Sequence, residues 1–284
     1  MSGQGSVKSV VIGSQTFGGA GKTPVALYIV RTLLTKGINA GLLVRPTKAG
    51  PVFEGCVTTV ADARASGDEA TMLWQELPDG TPLFVFKDLG EGQRFASHLV
   101  DVLVIDDGLR VRELSCDLSI VVVDHSSTES VFPLGPCRES NEFLDKMDVI
   151  WLNKVDEPRR RTDVSAHVRS SYQALELVNQ NGETLSLDQL KSKPVTICSG
   201  IGRPESFYHT LRPWLDRVVN IFEYGDHELY IFPQTSLPGE LIVTTEKDLA
   251  RNSGGSDVWA LRTQLHLESG ASYLKQRLED LITA

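Results

Sequence analysis

The chain has 284 residues and a formal net charge of −9. Its length suggests one large or two modest domains, and its acidity argues against broad nucleic-acid binding. Its four cysteines are scattered without a CxxC pair, which disfavours thiolate metal sites and favours a reduced, cytosolic chain. No long apolar span or signal peptide is present, so we expect any membrane contact to be peripheral.

A phosphate-binding loop is predicted near the N-terminus. A β-branched strand at 7–12 leads into the segment SQTFGGAGKTP, and a helix is predicted over 24–36. The loop departs from the pattern GxxxxGK[ST] at Thr16, where glycine is usual, and a glycine-rich turn with an incidental lysine is the alternative. In the nucleotide-binding interpretation, Lys22 neutralises the β- and γ-phosphates and the Thr23 hydroxyl ligates Mg²⁺. The predicted nucleotide-binding residues are Thr16, Phe17, Gly18, Gly19, Ala20, Gly21, Lys22 and Thr23.

Short apolar runs then recur along the chain. Several are nearly continuous in Val, Ile and Leu, which is typical of parallel strands buried on both faces. Predicted strands cover 40–44, 83–86, 102–105, 118–123 and 149–152, and predicted helices cover 68–76 and 91–99. The charged segment 156–163 resembles a linker or an exposed hairpin. A second series follows, with strands at 195–198, 218–222 and 241–244 and helices at 203–215 and 269–282.

The predicted fold class is α/β. We expect a P-loop NTPase-like parallel-sheet domain over 1–155 and a smaller α/β domain over 156–268, with a cleft between them. The C-terminal helix, 269–284, is expected to pack back on the first domain.

Acidic residues occur where a nucleotide-bound metal would need them. Asp106 and Asp107 follow the predicted strand 102–105 and are the expected Mg²⁺ anchors, although DDG is also common turn chemistry. Asp68 and Glu69 begin a predicted helix, where carboxylates also have a purely structural capping role.

Two further motifs contain candidate functional residues, a titratable histidine and a guanine-binding pattern. In EYGDHELY, His227 can titrate near neutrality, with Asp226 beside it, but an isolated loop histidine is often only solvent-exposed. Asn153, Lys154 and Asp156 match the guanine-reading pattern NKxD, which would fit a GTP-driven switch or metallochaperone. A polar turn at a strand end explains those three residues equally well.

Taken together, the motifs resemble the tetraacyldisaccharide 4′-kinase (lipid A 4′-kinase) family. The matching segments occur in the family's order between about residues 10 and 252, and this order is the main ground for the resemblance. They are TFGGAGKTP, SGDEATML, IDDGLR, FPLGPCRES, SGIGRPESFYHTL, GDHELY and TTEKDLAR.

The resemblance implies transfer of the ATP γ-phosphate to the 4′-hydroxyl of a tetraacylated glucosamine disaccharide 1-phosphate in lipid A biosynthesis. ATP and Mg²⁺ would be the cofactors. The enzyme would act at the cytoplasmic face of the bacterial inner membrane, through peripheral contact and without nucleic acid. Lys22 would act in catalysis, Asp68 would be the base, and His227 would be its partner. The implied metal-binding residues are Thr23, Asp106 and Asp107, and the implied substrate-binding residues are Arg45, Arg138 and Glu139.

The chain also departs from the family pattern at several positions. SRGYG becomes VRPTK, Arg110 and Val111 replace the Gln and His of DDGFQH, Ala70 ends the GDEP segment, and Glu228 replaces the second His of DHH. The apolar N-terminal segment usual in the family is not seen, so weaker membrane affinity is expected. A divergent kinase is the preferred interpretation, and a non-catalytic nucleotide- or glycolipid-binding relative is the alternative.

Overall fold

The computed structural model describes residues 7–16, 19–47, 52–124, 137–156, 164–225, 228–252 and 254–283. The chain forms two compact units, one made of residues 1–171 with 267–284 and the other of residues 172–266. Residues 164–171, expected in the second domain, belong to the first unit, where a strand beginning at Val168 pairs with the strand that ends at Asn153.

The first unit is built on a mostly parallel sheet. Its strands are β1 (Lys8–Ser14), β2 (Ala40–Val44), β3 (Gly55–Val57), β4 (Leu83–Val85), β5 (Val102–Ile105), β6 (Leu118–Asp124), β7 (Val149–Asn153) and the start of β8 (Val168–Val178). They are ordered β3-β4-β2-β5-β1-β6-β7-β8, and β3 is antiparallel to its neighbour while the others are parallel. The helices are α1 (Lys22–Thr35), α2 (Val60–Ser66), α3 (Asp68–Glu76), α4 (Leu89–Ala96), α5 (Asn141–Leu144) and, at the C-terminus, α8 (Ala271–Thr283).

The central strands are buried along their whole length, as their continuous apolar sequences predict. Every residue of β2, β5, β6 and β7 is buried. Because neighbouring parallel strands end at the same edge of the sheet, the loop after β1, the turn after β5 and the ends of β6 and β7 converge there. This edge is where ligands bind in open α/β sheets, and it carries the predicted phosphate loop.

The second unit has a smaller parallel sheet ordered β11-β10-β12-β13. Its elements are β9 (Thr184–Leu185), β10 (Pro194–Ser199), α6 (Pro204–Leu211), β11 (Arg217–Glu223), β12 (Leu241–Thr245), α7 (Glu246–Arg251) and β13 (Val258–Ser269). Leu190, Val195, Ile197, Leu211 and Val243 are buried together in its core. The unit therefore has a hydrophobic core of its own.

Two helices end or begin at other residues than predicted, one because of a proline and the other because of a capping side chain. The helix predicted over 203–215 stops at Leu211 and continues as a 3-10 turn, Arg212–Trp214, that contains Pro213, which has no N–H to donate. Helix α4 begins two residues earlier than predicted because the Asp88 side chain accepts hydrogen bonds from Gly90 N and Glu91 N.

Helix α8 is tied to the first unit by polar contacts. Glu279 pairs with Lys36 at 2.6 Å, and Arg277 pairs with Asp148 at 2.8 Å. The Tyr273 hydroxyl donates to the Asp148 carbonyl at 3.0 Å. Within the described residues, no helix combines the length and apolar character needed to cross a bilayer.

Candidate functional site

The phosphate loop has the backbone geometry that anion binding requires. Gly19 and Gly21 have φ values of 64° and 92°, in the left-handed region that glycine tolerates. Helix α1 begins directly afterwards at Lys22, and no side chain caps its N-terminus. Its first N–H groups and the positive end of its dipole are therefore available to a phosphate. Phe17 and Gly18 lie outside the described residues.

Thr16 replaces the usual glycine without exposing its side chain. The residue is 2% exposed and forms an isolated antiparallel bridge with Cys137. Ser14 Oγ donates a 2.8 Å hydrogen bond to the Thr16 carbonyl. Thr16 has no left-handed φ, so this position does not need glycine.

Lys22 is held beside the loop by two oxygen atoms. Its Nζ donates to Ser14 Oγ at 3.4 Å and lies 3.7 Å from Asp107 Oδ1. Asp107 itself has a left-handed φ of 58°, in the turn that follows β5. The lysine is thus placed at the carboxyl edge of the sheet, where its charge can meet phosphate oxygens.

Thr23 and Asp106 meet directly. Thr23 Oγ1 donates to Asp106 Oδ2 at 2.7 Å, and a longer contact of 3.4 Å joins it to Glu69 Oε1. Burial raises the pKa of Asp106 to about 6, although the bond from Thr23 and the charge of Lys22 oppose this rise.

These oxygens fit a magnesium ion. Asp106 Oδ1 is buried and accepts no hydrogen bond, so it is an oxygen that a cation beside the Thr23 hydroxyl could bind. Mg²⁺ prefers carboxylate and hydroxyl oxygens, and protein sites usually supply only one or two carboxylates besides substrate phosphates. Among the described residues, no group of three or more His, Cys, Asp or Glu side chains is arranged to hold a metal.

The predicted acceptor-side residues occupy different positions. Asp68 is the exposed first residue of α3, and its neighbour Glu69 is the one that reaches Thr23. Arg45 is exposed just after β2, where its Nε donates to the Lys87 carbonyl at 3.4 Å. His227 and Asp226 lie outside the described residues.

Arg138 and Glu139 are held beside the end of β1. Arg138 N donates to the Gln15 carbonyl at 2.6 Å, and Gln15 Nε2 donates to the Glu139 carbonyl at 3.1 Å and to Asn141 Oδ1 at 3.0 Å. Arg110 Nε donates to Glu139 Oε1 at 3.1 Å. Arg110, which replaces the family's Gln, therefore contacts a predicted substrate residue.

Sequence reasoning did not identify Ser14, Gln15 and Glu69 as site residues. Ser14 and Gln15 follow the strand predicted over 7–12, and their polarity after that apolar run was the available signal. Glu69 was considered only as a helix-start residue, and nothing in its spacing distinguishes it from Asp68.

Comparisons with known proteins agree with the family resemblance. Residues 2–283 match the model of the family described as tetraacyldisaccharide-1-P 4′-kinase. The chain is 30% identical over 270 residues to a tetraacyldisaccharide 4′-kinase of Pseudoalteromonas atlantica, covering 92% of this chain and 85% of the relative. It is 31% identical over 257 residues to the protein of that name from Vibrio cholerae, covering 85% of this chain and 72% of the relative.

The fold is also similar to a crystal structure, that of the "apo" form of LpxK from Aquifex aeolicus in complex with ATP. The TM-score is 0.77, and the match covers 97% of this chain and 89% of the other at 24% identity. With a match over nearly its whole length and a relative at 30% identity, the chain belongs to the tetraacyldisaccharide-1-phosphate 4′-kinase family.

Proposed function

We infer that this chain is an ATP-dependent kinase that phosphorylates the 4′-hydroxyl of a tetraacylated glucosamine disaccharide 1-phosphate in lipid A biosynthesis. The observation that carries the proposal is the contact between Thr23 and Asp106 beside an uncapped α1 N-terminus, in a chain that matches the family over residues 2–283.

The phosphate loop would bind the nucleotide. Main-chain N–H groups of the loop and of the first turn of α1 would surround the phosphates, and Lys22 would neutralise charge on the transferred group. Its contacts with Ser14 and Asp107 orient the lysine before nucleotide arrives. Thr23 and Asp106, with Asp107 nearby, would hold Mg²⁺, which supplies charge neutralisation at the β- and γ-phosphate oxygens.

Proton removal from the acceptor hydroxyl is assigned to Asp68. An exposed carboxylate at the start of α3 is accessible to a bulky acceptor, and Glu69 beside it is already near Thr23. His227 is proposed as the partner that orients Asp68. Arg45, Arg138 and Glu139 are proposed to bind the disaccharide.

The acceptor is a lipid, so the proposed place of action is the cytoplasmic face of the bacterial inner membrane. Peripheral contact there would let the kinase reach the sugar headgroup. Co-sedimentation of the protein with anionic lipid vesicles tests this part of the proposal separately from catalysis.

The decisive experiment follows labelled phosphate. Purified protein is incubated with γ-labelled ATP, Mg²⁺ and detergent-dispersed tetraacyl disaccharide 1-phosphate, and lipid products are separated by thin-layer chromatography. The unmutated protein should label the lipid, and Asp68→Asn should not, while binding ATP normally. Asp79→Asn is the matched control because Asp79 is an exposed carboxylate in a turn after α3. Equal labelling by the Asp68→Asn variant would remove the assigned base.

Two alternatives have distinct outcomes in this assay. A non-catalytic relative would bind nucleotide and yield no labelled lipid with any variant. A GTP-driven switch would prefer GTP in competition binding. The Asn153 side chain is fully buried and Lys154 is 4% exposed in an ion pair with Asp124, which favours a structural role for the NKxD match over base recognition.

A further inference from the structure

Beneath the phosphate loop lies a buried chain of hydrogen bonds that the proposed mechanism does not use. Trp151 Nε1 donates to Ser170 Oγ at 2.7 Å, and Ser170 Oγ donates to Asn153 Oδ1 at 2.8 Å. Asn153 Nδ2 then donates to the carbonyl of Ala20 at 3.0 Å. All four residues are at most 1% exposed, so solvent does not compete for these bonds.

The direction of the Asn153 amide is fixed by its neighbours. Lys154 N, a main-chain donor, points at Asn153 Oδ1 at 3.0 Å, so that atom must be the acceptor oxygen. The nitrogen consequently faces Ala20. Exchanging the two amide atoms would set an oxygen against the Ala20 carbonyl and a nitrogen against the Lys154 N–H.

The turn that presents Asn153 is itself held in place. Lys154 has a left-handed φ of 62°, an uncommon conformation for a residue with a side chain. Its Nζ donates to Asp124 Oδ2 at 3.0 Å, and both side chains are at most 5% exposed. Asp124 and Asn153 are register partners at the ends of β6 and β7. The ion pair therefore joins the end of β6 to the residue that follows Asn153 at the end of β7.

We propose that Asn153 is a positioning residue that orients the Gly21 N–H toward the bound phosphates. In a planar trans peptide the C=O and the N–H point in opposite directions. A bond that holds the Ala20 carbonyl toward β7 therefore directs the Gly21 N–H away from β7, into the loop. Gly21, at φ 92°, has no side chain to obstruct a phosphate there. The asparagine of the NKxD match thus binds the protein's own phosphate loop and not a guanine base.

The inference rests on nucleotide binding by the phosphate loop and is independent of the lipid acceptor. The test measures binding by calorimetry, without acceptor, of three probes: ATP, GTP and inorganic tripolyphosphate. Asn153→Ala should raise all three dissociation constants by a similar factor, about tenfold, because the lost orientation affects phosphate contacts only. In turnover assays KM for ATP should rise and KM for lipid should stay constant.

The matched control is Asn39→Ala. Asn39 Nδ2 also donates to a main-chain carbonyl, that of Leu99 at 2.9 Å, but it is exposed and precedes β2. This variant should bind all three probes normally. If Asn153→Ala does not fold, Ser170→Ala is the second variant. It removes one of the two bonds to Asn153 Oδ1, leaves the one from Lys154 N, and also removes the acceptor of Trp151 Nε1. It should weaken binding of the three probes in parallel.

Two results would overturn the proposal. One is tripolyphosphate binding within about twofold of the unmutated value in a folded Asn153→Ala protein. The other is a loss confined to GTP, which would make Asn153 a base-reading residue. Absence of lipid kinase activity together with a parallel loss of probe binding would refute the proposed acceptor and leave the positioning role supported.

Discussion

The hydroxyl of Thr23 donates a 2.7 Å hydrogen bond to Asp106, a residue 83 positions later in the chain. The contact exists because β1 and β5 are neighbouring parallel strands, so the helix that follows β1 begins beside the turn that follows β5. The hydrogen bond from Thr23 reaches only Asp106 Oδ2, and Asp106 Oδ1 is buried without a hydrogen bond. A buried carboxylate with one oxygen that accepts no hydrogen bond is costly to the free protein and well suited to a cation.

Replacing Thr23 by Val keeps the side-chain shape and removes the hydroxyl. Asp106 then loses its donor and the proposed Mg²⁺ loses a ligand, so kcat/KM should fall on the order of 100-fold. Steady-state kinetics over a range of Mg²⁺ concentrations measures the effect. Thr32→Val is the control, because the Thr32 hydroxyl donates to the Tyr28 carbonyl on the same helix at 2.7 Å. Equal activity of the two variants would contradict the role given to Thr23.

Asp106→Asn should make the free protein more stable at neutral pH while abolishing activity. Burial raises the folded pKa of Asp106 from 3.8 to about 6. Because the folded pKa lies above the unfolded one, the carboxyl costs no stability below the ordinary pKa, and stability is lost as pH rises from there to about 6. The shift corresponds to about 3 kcal/mol at pH 7 and above.

Urea unfolding of both proteins without metal, across the acid-to-neutral range, checks this prediction. The stability difference in favour of Asp106→Asn should be small near pH 4, should grow between about pH 4 and about pH 6, and should be constant at higher pH. A difference that does not vary with pH would mean that Asp106 is not the titrating group.

Much of the first unit could be predicted from its apolar runs. Strands buried on both faces have continuous Val, Ile and Leu sequences, and β2 and β5 were predicted to the residue. The long strands β8 and β13 were not predicted. Intermediate and exposed residues make up much of their length, and polar residues interrupt the apolar runs that would have indicated a strand.

The phosphate loop could be predicted from local order alone, because strand, glycines, Lys22, Thr23 and helix are contiguous. The residues that contact the loop are distant from it in the sequence. Asn153 reaches Ala20 across 133 positions, and this pairing follows from the placement of β7 in the sheet. The NKxD motif fits both guanine recognition and a polar turn at a strand end. Only the contacts of its side chains distinguish the two.

Glu69→Gln should lower the pKa of Asp106. The Glu69 charge lies close enough to raise that pKa, and its Oε1 is 3.4 Å from Thr23 Oγ1. Removing the charge should move the acid side of the pH profile for Mg²⁺-dependent ATP binding to lower pH. Glu76→Gln, at the far end of α3, changes the same charge and should leave the profile in place. An upward displacement for Glu69→Gln would show that the two carboxylates do not interact as argued.

Asp148→Asn should loosen the C-terminal helix and destabilise the protein. Burial raises the pKa of Asp148, but the hydrogen bonds from Ser119 and the charge of Arg277 bring it below its usual range. Oδ2 accepts from Ser119 N at 2.9 Å and Ser119 Oγ at 2.6 Å, and Oδ1 accepts from Arg277. Loss of such charge-assisted bonds typically costs about 2 kcal/mol.

The pH dependence identifies the mechanism of that loss. A depressed carboxyl pKa contributes stability that is present above the ordinary pKa and is lost as pH falls through the folded value. The deficit of Asp148→Asn in urea unfolding should therefore be full at neutral pH and should shrink below about pH 4. Lys275→Ala is the control, because its pair with Glu279 is exposed on α8 at 4.0 Å and should contribute little. If the deficit of Asp148→Asn persisted unchanged in acid, lost packing and not lost charge would explain it.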